Sequence, residues 1–346
     1  LVAARILQGA GGAMMVPVGR LLLLRRVGKD QLLTAMTWLT MPALLGPVLG
    51  PPIGGFLTDA VSWRAVFWLN IPVGLIGLLL VWWFIPEVEP GDPGPLDARG
   101  LTLWALALAL LMAGLETVGR GLVPHWITVA ALLAGLALGW LAARHSRRIA
   151  RPAVDLSLLK IPSFGMPTLA GTLFRSGAGA VPFLLPLTLQ IAFGLSASGS
   201  GLITFATALG AFAMKPVVRP ILRRYGFRTV LAVNGLLATL SVGICAAFGP
   251  AWPMALIFAA LAAGGLARSL QFTSLNTLSF ADVPQARLAA ATSMSGTVQQ
   301  LSQALGVVLG SVTLSVTTSL AGHAHPELAD FRIAFLVAAA LALSSI

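Results

Sequence analysis

Long apolar runs fill most of this chain and are separated by short charged or proline- and glycine-rich breaks. A helix needs about 20 apolar residues to cross a bilayer, and these runs lack the alternation over about ten residues that marks a membrane β-strand. The pattern predicts an all-α polytopic membrane protein with about eleven visible spans. They fall at 1–18, 33–57, 65–85, 101–118, 127–143, 162–193, 197–222, 229–248, 253–280, 288–320 and 331–346.

The composition excludes a water-soluble globule. Of the 346 residues, 57% are hydrophobic and only 10% are charged, whereas soluble domains carry about 25% charged residues. The first apolar run is already under way at Leu1, so we expect the first span, like the last, to be cut short. The single cysteine, Cys245, provides neither a disulfide framework nor a cysteine metal site.

Lysine and arginine orient the spans once alternate connections are assigned to alternate sides of the membrane. The lysines and arginines of the connections then fall sixteen on one side and three on the other. Such an asymmetry marks the richer side as cytoplasmic in a bacterial inner membrane, so the first visible span runs inward. It also accounts for the basic run at 144–151, and we therefore expect no nucleic-acid partner. Three of these residues lie on the outer side, namely Arg64, Arg120 and Arg332. Sixteen lie on the other side, namely Arg20, Arg25, Arg26, Lys29, Arg99, Arg144, Arg147, Arg148, Arg151, Lys160, Lys215, Arg219, Arg223, Arg224, Arg228 and Arg287.

Three further arginines, Arg5, Arg175 and Arg268, fall inside predicted spans. A charge within the bilayer is costly and suggests a function, although an arginine that only binds backbone carbonyls of a neighbouring helix is the structural alternative. The segment ARILQ at 4–8, which ends in Gln8, recurs as ARSLQ at 267–271. The two copies run in the same direction, which indicates two parallel halves.

A glycine- and proline-rich stretch, GPVLGPPIGGF, occupies residues 46–56. Glycines four residues apart let a helix approach its neighbour closely, and prolines bend the helix. The stretch therefore predicts either a bent gate between two halves or helix packing alone. Its candidate residues are Gly46, Pro47, Gly50, Pro51, Gly54 and Gly55.

Catalytic constellations are not found in the sequence. Serine, histidine and aspartate do not converge on a nucleophilic triad, and no pair of intramembrane aspartates is present. His323 and His325 stand two residues apart in an outer loop, which is weak support for a metal site. We expect neither an enzyme nor a bound metal or cofactor.

Three segments together carry a family resemblance: RILQGAGGAMM at 5–15, GPVLGPPIGG at 46–55 and WRAVFWLNIPVG at 63–74. The chain resembles the major facilitator superfamily over essentially its whole length, and within it the fourteen-helix drug:proton antiporters of the EmrB/QacA type. ILRRYGFR at 221–228 looks like a second copy of that superfamily's cytoplasmic loop motif without its usual aspartate.

The resemblance implies two pseudo-symmetric six-helix bundles plus two extra central helices. Three helices would precede Leu1, and the proton motive force would supply the energy. Arg5 would take part in proton coupling, and the bend at 46–55 would prevent leakage between the faces. The regions would be 1–86 for the end of the first bundle, 87–100 for a cytoplasmic linker, 101–145 for the two extra helices, 146–161 for a basic linker, and 162–346 for the second bundle.

The leading hypothesis is proton-driven export of amphipathic, drug-like compounds by alternating access. Its partners are a small-molecule substrate, protons and the lipid bilayer, while a periplasmic adaptor is left open. The alternatives are a proton-coupled symporter that imports a metabolite such as an organic acid, and a non-transporting membrane scaffold or receptor. The candidate coupling residues are Arg5, Gln8, Arg175 and Arg268, and the candidate cavity residues are Trp38, Gln190, Gln271, Gln299 and Gln300.

Overall fold

A computed structural model of the chain describes residues 64–85, 96–118, 123–150 and 152–346, together with isolated positions between 4 and 62. The helices of the continuous ranges are α1 Ala65–Trp68, α2 Asn70–Phe84, α3 Ala98–Thr117, α4 His125–Ser146, α5 Pro162–Gly179, α6 Val181–Leu187, α7 Ala197–Gly243, α8 Met254–Ser279, α9 Leu288–Ala321 and α10 Leu328–Leu343. No strand occurs within those ranges.

The described helices confirm the all-α polytopic membrane fold. Seven of their helical stretches are long and apolar enough to cross a bilayer. One of these stretches covers α7, in which Gly226 has a φ of 72° that interrupts the helical path. Because side chains disfavour this backbone conformation, glycine is suited to the break. Both halves of α7 then pack against α8. The Ser269 hydroxyl donates a hydrogen bond to the Ala211 carbonyl, and the Asn234 side-chain amide donates one to the Ala267 carbonyl.

Small residues set the spacing between helices in the second bundle. A Cβ atom added at Gly306 of α9 would fall on the Ser176 carbonyl oxygen of α5, and 2.9 Å from the Gly179 carbonyl carbon. Gly210 of α7 and Gly265 of α8 face the partner helix's backbone in the same way. In a membrane such close backbone approach replaces the hydrophobic effect as a source of helix association.

The helices α3 and α4 form an antiparallel pair. Thr117 bonds Thr128 at 3.0 Å at one end, and the Trp104 indole donates to the Ser146 hydroxyl at 3.2 Å at the other. Asp97 caps the start of α3 by accepting from the Gly100 amide at 2.9 Å. The pair is thus fastened along its length.

Two side-chain contacts bind the connections between helices to the helices themselves. Asp97 bonds His145 at the end of α4 at 2.8 Å, and also accepts from the Ala153 amide in the linker at 3.1 Å. Further along the same linker, Asp155 pairs with Arg287 at 2.6 Å, which lies before α9. These contacts hold the linker after α4 against the α3–α4 pair at one point and against the start of α9 at another.

His323 closes the turn between α9 and α10. Its ring bonds the Asp330 carboxylate at 3.0 Å, and this hydrogen bond raises the pKa of His323 above its ordinary value. Among the described residues, no group of three His, Cys, Asp or Glu side chains could hold a metal ion.

Candidate functional site

Two of the three intramembrane arginines lie at mid-depth in the second bundle. Arg175 and Arg268 stand about 20 Å from the first residues of α5 and α8, at a rise of about 1.5 Å per residue. Each arginine therefore lies near the midpoint of its apolar stretch, which is Pro162–Ala192 for Arg175 and Met254–Ser279 for Arg268. The structure thus places both residues inside helices that match the predicted spans.

Both arginines line one cavity of about 480 Å³ between α5, α6, α8 and α9. Its wall combines cationic, amide and aromatic side chains with small apolar residues, which is the composition of a site for a small organic molecule. The lining residues are Phe174, Arg175, Ala178, Gly179, Pro182, Arg268, Phe272, Gln300, Gln303, Ala304 and Val307.

Arg175 is 95% buried, with a relative exposure of only 5%. Its guanidinium donates to the Asn276 side-chain oxygen at 3.1 Å and lies 4.7 Å from the centre of the Phe272 ring. Gly171, one turn earlier on α5, leaves the space that the guanidinium occupies. The Nε of Arg175 is buried and has no hydrogen-bond acceptor.

A short polar network supports Arg175 from α9. The Gln299 amide donates to the same Asn276 oxygen at 2.9 Å and to the Ser295 hydroxyl at 3.2 Å. Asn276 therefore accepts from α5 and α9 at once. This arrangement fixes the guanidinium at the wall of the cavity.

Arg268 has only neutral partners among the contacts of its guanidinium. It donates to the Gly264 carbonyl at 3.2 Å and to the Thr207 hydroxyl at 3.4 Å. Residues 162–346 contain three acidic side chains, Asp282, Glu327 and Asp330, and each of them lies at or beyond a helix end. The membrane-embedded part of this bundle thus carries cationic groups without carboxylates beside them.

Of the residues predicted from sequence, Arg175, Arg268 and Gln300 meet at the cavity, and Gln299 supports Arg175 from behind. The prediction that Gln271 lines the cavity is wrong, because the structure places this side chain between α8 and α7. It is 4% exposed and pairs with Asn234 at 3.1 Å, so it packs α8 against α7. A helix turns by about 100° per residue, which points Gln271 away from the face that carries Phe272.

Five further predicted positions lie in the described part of the chain but not among the cavity residues. Gln190 is exposed in the π-helical turn Thr188–Ala192, which follows α6, so the structure does not place it with the cavity residues either. Gln8, Gly46 and Gly50 are exposed, and Gly54 is half-buried. Five lie outside the described residues, and their roles stay predictions: Arg5, Trp38, Pro47, Pro51 and Gly55.

Sequence reasoning missed Phe174, Phe272 and Gln303 as cavity residues. Helical spacing carries a signal for two of them. Phe272 follows Arg268 by four residues and Gln303 follows Gln300 by three, so each shares a helix face with a residue already singled out.

A polytopic helical bundle with a polar and aromatic cavity at mid-membrane is the arrangement of a secondary transporter. The family model described as Major Facilitator Superfamily matches residues 1–142 and 167–346. The chain therefore belongs to the major facilitator superfamily, a family of transporters, and is a multi-pass protein of the bacterial inner membrane.

Bacterial relatives extend the comparison. A protein of Pectobacterium atrosepticum is 34% identical over 319 residues, covering 91% of this chain and 68% of the relative. Relatives from Pectobacterium carotovorum and Salmonella heidelberg are each 35% identical over 91% of this chain, covering 68% and 67% of their own lengths. All three carry the name multidrug resistance protein MdtD. The chain thus spans about two thirds of the length of these relatives.

Proposed function

We propose that this protein exports a range of amphipathic, drug-like compounds across the inner membrane in exchange for protons. The observation that carries the proposal is the mid-membrane cavity, whose aromatic and amide side chains suit chemically varied organic molecules. The relatives named for multidrug resistance support the same substrate range. The resemblance of residues 5–15 and 46–55 to the antiporter motifs supports the coupling to protons.

The cavity would bind its substrates with few directional contacts. Phe272, Pro182 and Val307 offer apolar surface, and Gln300 and Gln303 can donate or accept hydrogen bonds as the compound requires. Alternating access between the two halves would then carry the compound from one face to the other. In this scheme the helices α3 and α4 are the extra central pair, and residues 162–346 form the second bundle.

Replacing Arg5 by alanine tests the coupling. In an efflux-deficient bacterium that carries the complete gene, we expect export of ethidium that stops when a protonophore collapses the proton gradient. The Arg5→Ala protein should export no more than cells without the gene, since a charge inside the membrane has no nearby substitute. Ethidium fluorescence in loaded cells measures the rate.

The matched control is Arg148→Ala, because this arginine is exposed in the linker that follows α4. It should export at the parental rate, with equal amounts of both variants in the membrane. Protonophore-sensitive export that survives in Arg5→Ala would contradict the coupling role. Proton-driven uptake in the parent would favour an importing symporter instead.

A further inference from the structure

The cavity in the second bundle is lined by two guanidinium groups, and such groups bind anions. Arg175 is 5% exposed, yet its Nε finds no acceptor in the protein. Buried donors are almost always paired, and an unpaired one is costly. An arginine kept only to join helices would be expected to have all its donors satisfied, so packing between helices does not by itself account for this guanidinium at the cavity wall.

The charge balance around the cavity supports the same conclusion. Arg175 and Arg268 are bound by an amide, a backbone carbonyl and a hydroxyl, all of them neutral. The sequence has no acidic residue at 156–281 or at 283–326, so α5 to α9 bring no carboxylate to either guanidinium. Two cations that have no carboxylate beside them among the described residues favour a negatively charged ligand.

The remaining wall determines what else the ligand carries. Phe272 stacks on the Arg175 guanidinium at 4.7 Å. This ring and the apolar residues Pro182 and Val307 cannot hydrogen-bond, so they suit a hydrophobic body. A volume of about 480 Å³ is within the range of pockets that hold drug-sized molecules.

We propose that this cavity binds amphipathic organic anions. A single carboxylate or sulfonate accepts from Arg175 and Arg268, and an aromatic body packs against Phe272 and Val307. The proposal rests on the proposed export function and deepens it, because it makes singly charged aryl anions preferred substrates over neutral or cationic compounds of the same size.

The test compares two probes that differ in one group. Anilinonaphthalenesulfonate carries a sulfonate, and phenylnaphthylamine has the same two ring systems without it. Equilibrium dialysis against the purified complete protein in phosphatidylcholine nanodiscs measures binding of each probe. Inverted membrane vesicles, with compounds quantified by chromatography, measure proton-driven transport of both probes and of ethidium.

We expect the parent to bind the sulfonate more tightly than its neutral analogue. Arg175→Gln and Arg268→Gln should each weaken sulfonate binding about tenfold, as expected for a lost hydrogen bond to a charged group, and change binding of the neutral probe by less than about twofold. Arg148→Gln, exposed in the linker after α4, should leave both unchanged. Retained binding of the neutral probe shows that the variants are folded.

The outcomes separate this proposal from the export function. Export of ethidium by a parent that binds the sulfonate no better than its neutral analogue would overturn the anion site alone. Preferential sulfonate binding that depends on the two arginines, in a protein that transports none of the three compounds, would overturn the export function and support the site. If Arg175→Gln loses both probes, Arg175→Lys decides. Recovery of the sulfonate supports the site, and equal loss of both probes overturns it.

Discussion

Replacing Gly306 by alanine lowers the stability of the folded protein by about 2 kcal/mol and lowers the export rate, because overpacking a tight contact costs about 1–3 kcal/mol. The added Cβ would fall on the Ser176 carbonyl oxygen and within 3.0 Å of the Ala180 backbone nitrogen. Backbone atoms on α5 and α6 cannot move aside as a flexible side chain would. The helices must therefore separate, and the cavity wall that joins Gly179 to Gln303 opens with them.

The same helix provides the control. Gly296 also lies in α9, and a Cβ added there meets nothing within 4 Å. Alanine at this position should be neutral or stabilise the protein by up to about 1 kcal/mol, since glycine is the poorer residue in a helix interior. The two identical substitutions are thus expected to have opposite signs.

The fraction of protein that elutes as a single species after graded heating in detergent measures stability for both variants. Ethidium export from cells with matched membrane levels measures function. Equal melting curves for Gly306→Ala and Gly296→Ala would show that the close approach of α5 and α9 does not limit stability.

Hydropathy was sufficient to predict the spans between residues 65 and 320, because a bilayer requires every backbone group to be bonded within its own helix. The break between residues 222 and 229 was predicted from its arginines, and Gly226 lies inside it. The depth of Arg175 and Arg268 was also predictable, since depth follows from counting residues along a span.

Partners across helices were not predictable in this way. Asn276, which holds Arg175, lies 101 residues further along the chain, and no local spacing relates the two. Gln271 shows the converse error. Its position in a span predicted a cavity residue, but only the rotation of α8 against α7 decides that it pairs with Asn234. One sequence gives the depth of a side chain, whereas the direction it faces depends on tertiary packing.

Asp97 is the residue whose loss should most weaken the attachment of the α3–α4 pair. Its side chain is 5% exposed and bonds one group in each of three elements. These are the Gly100 amide in α3, the His145 ring in α4 and the Ala153 amide in the linker that follows α4. Asp97→Ala removes a helix cap and two tethers, and should lower the free energy of unfolding by about 3 kcal/mol. Asp282→Ala, exposed between α8 and α9, should change it by less than about 0.5 kcal/mol.

The pH dependence gives Asp97 a signature of its own. The hydrogen bond from His145, together with those from the Gly100 and Ala153 amides, lowers the pKa of Asp97 from 3.8 to about 2. A carboxyl group whose pKa is lower in the folded state stabilises the protein above the unfolded pKa, and this contribution is lost as the pH falls through the folded one. The parent should therefore lose stability between about pH 4 and pH 2 through this residue.

Asn at position 97 isolates that contribution, because the amide keeps an oxygen for the Gly100 cap and cannot ionise. Thermal unfolding in detergent at a series of pH values should show parent and Asp97→Asn separated at neutral pH. The two should converge as the pH approaches 2, since protonation then removes the charge from the parent as well. A gap between the two proteins that stays constant from neutral pH to pH 2 would mean that the carboxylate charge is not what fastens α4 and its linker to the start of α3.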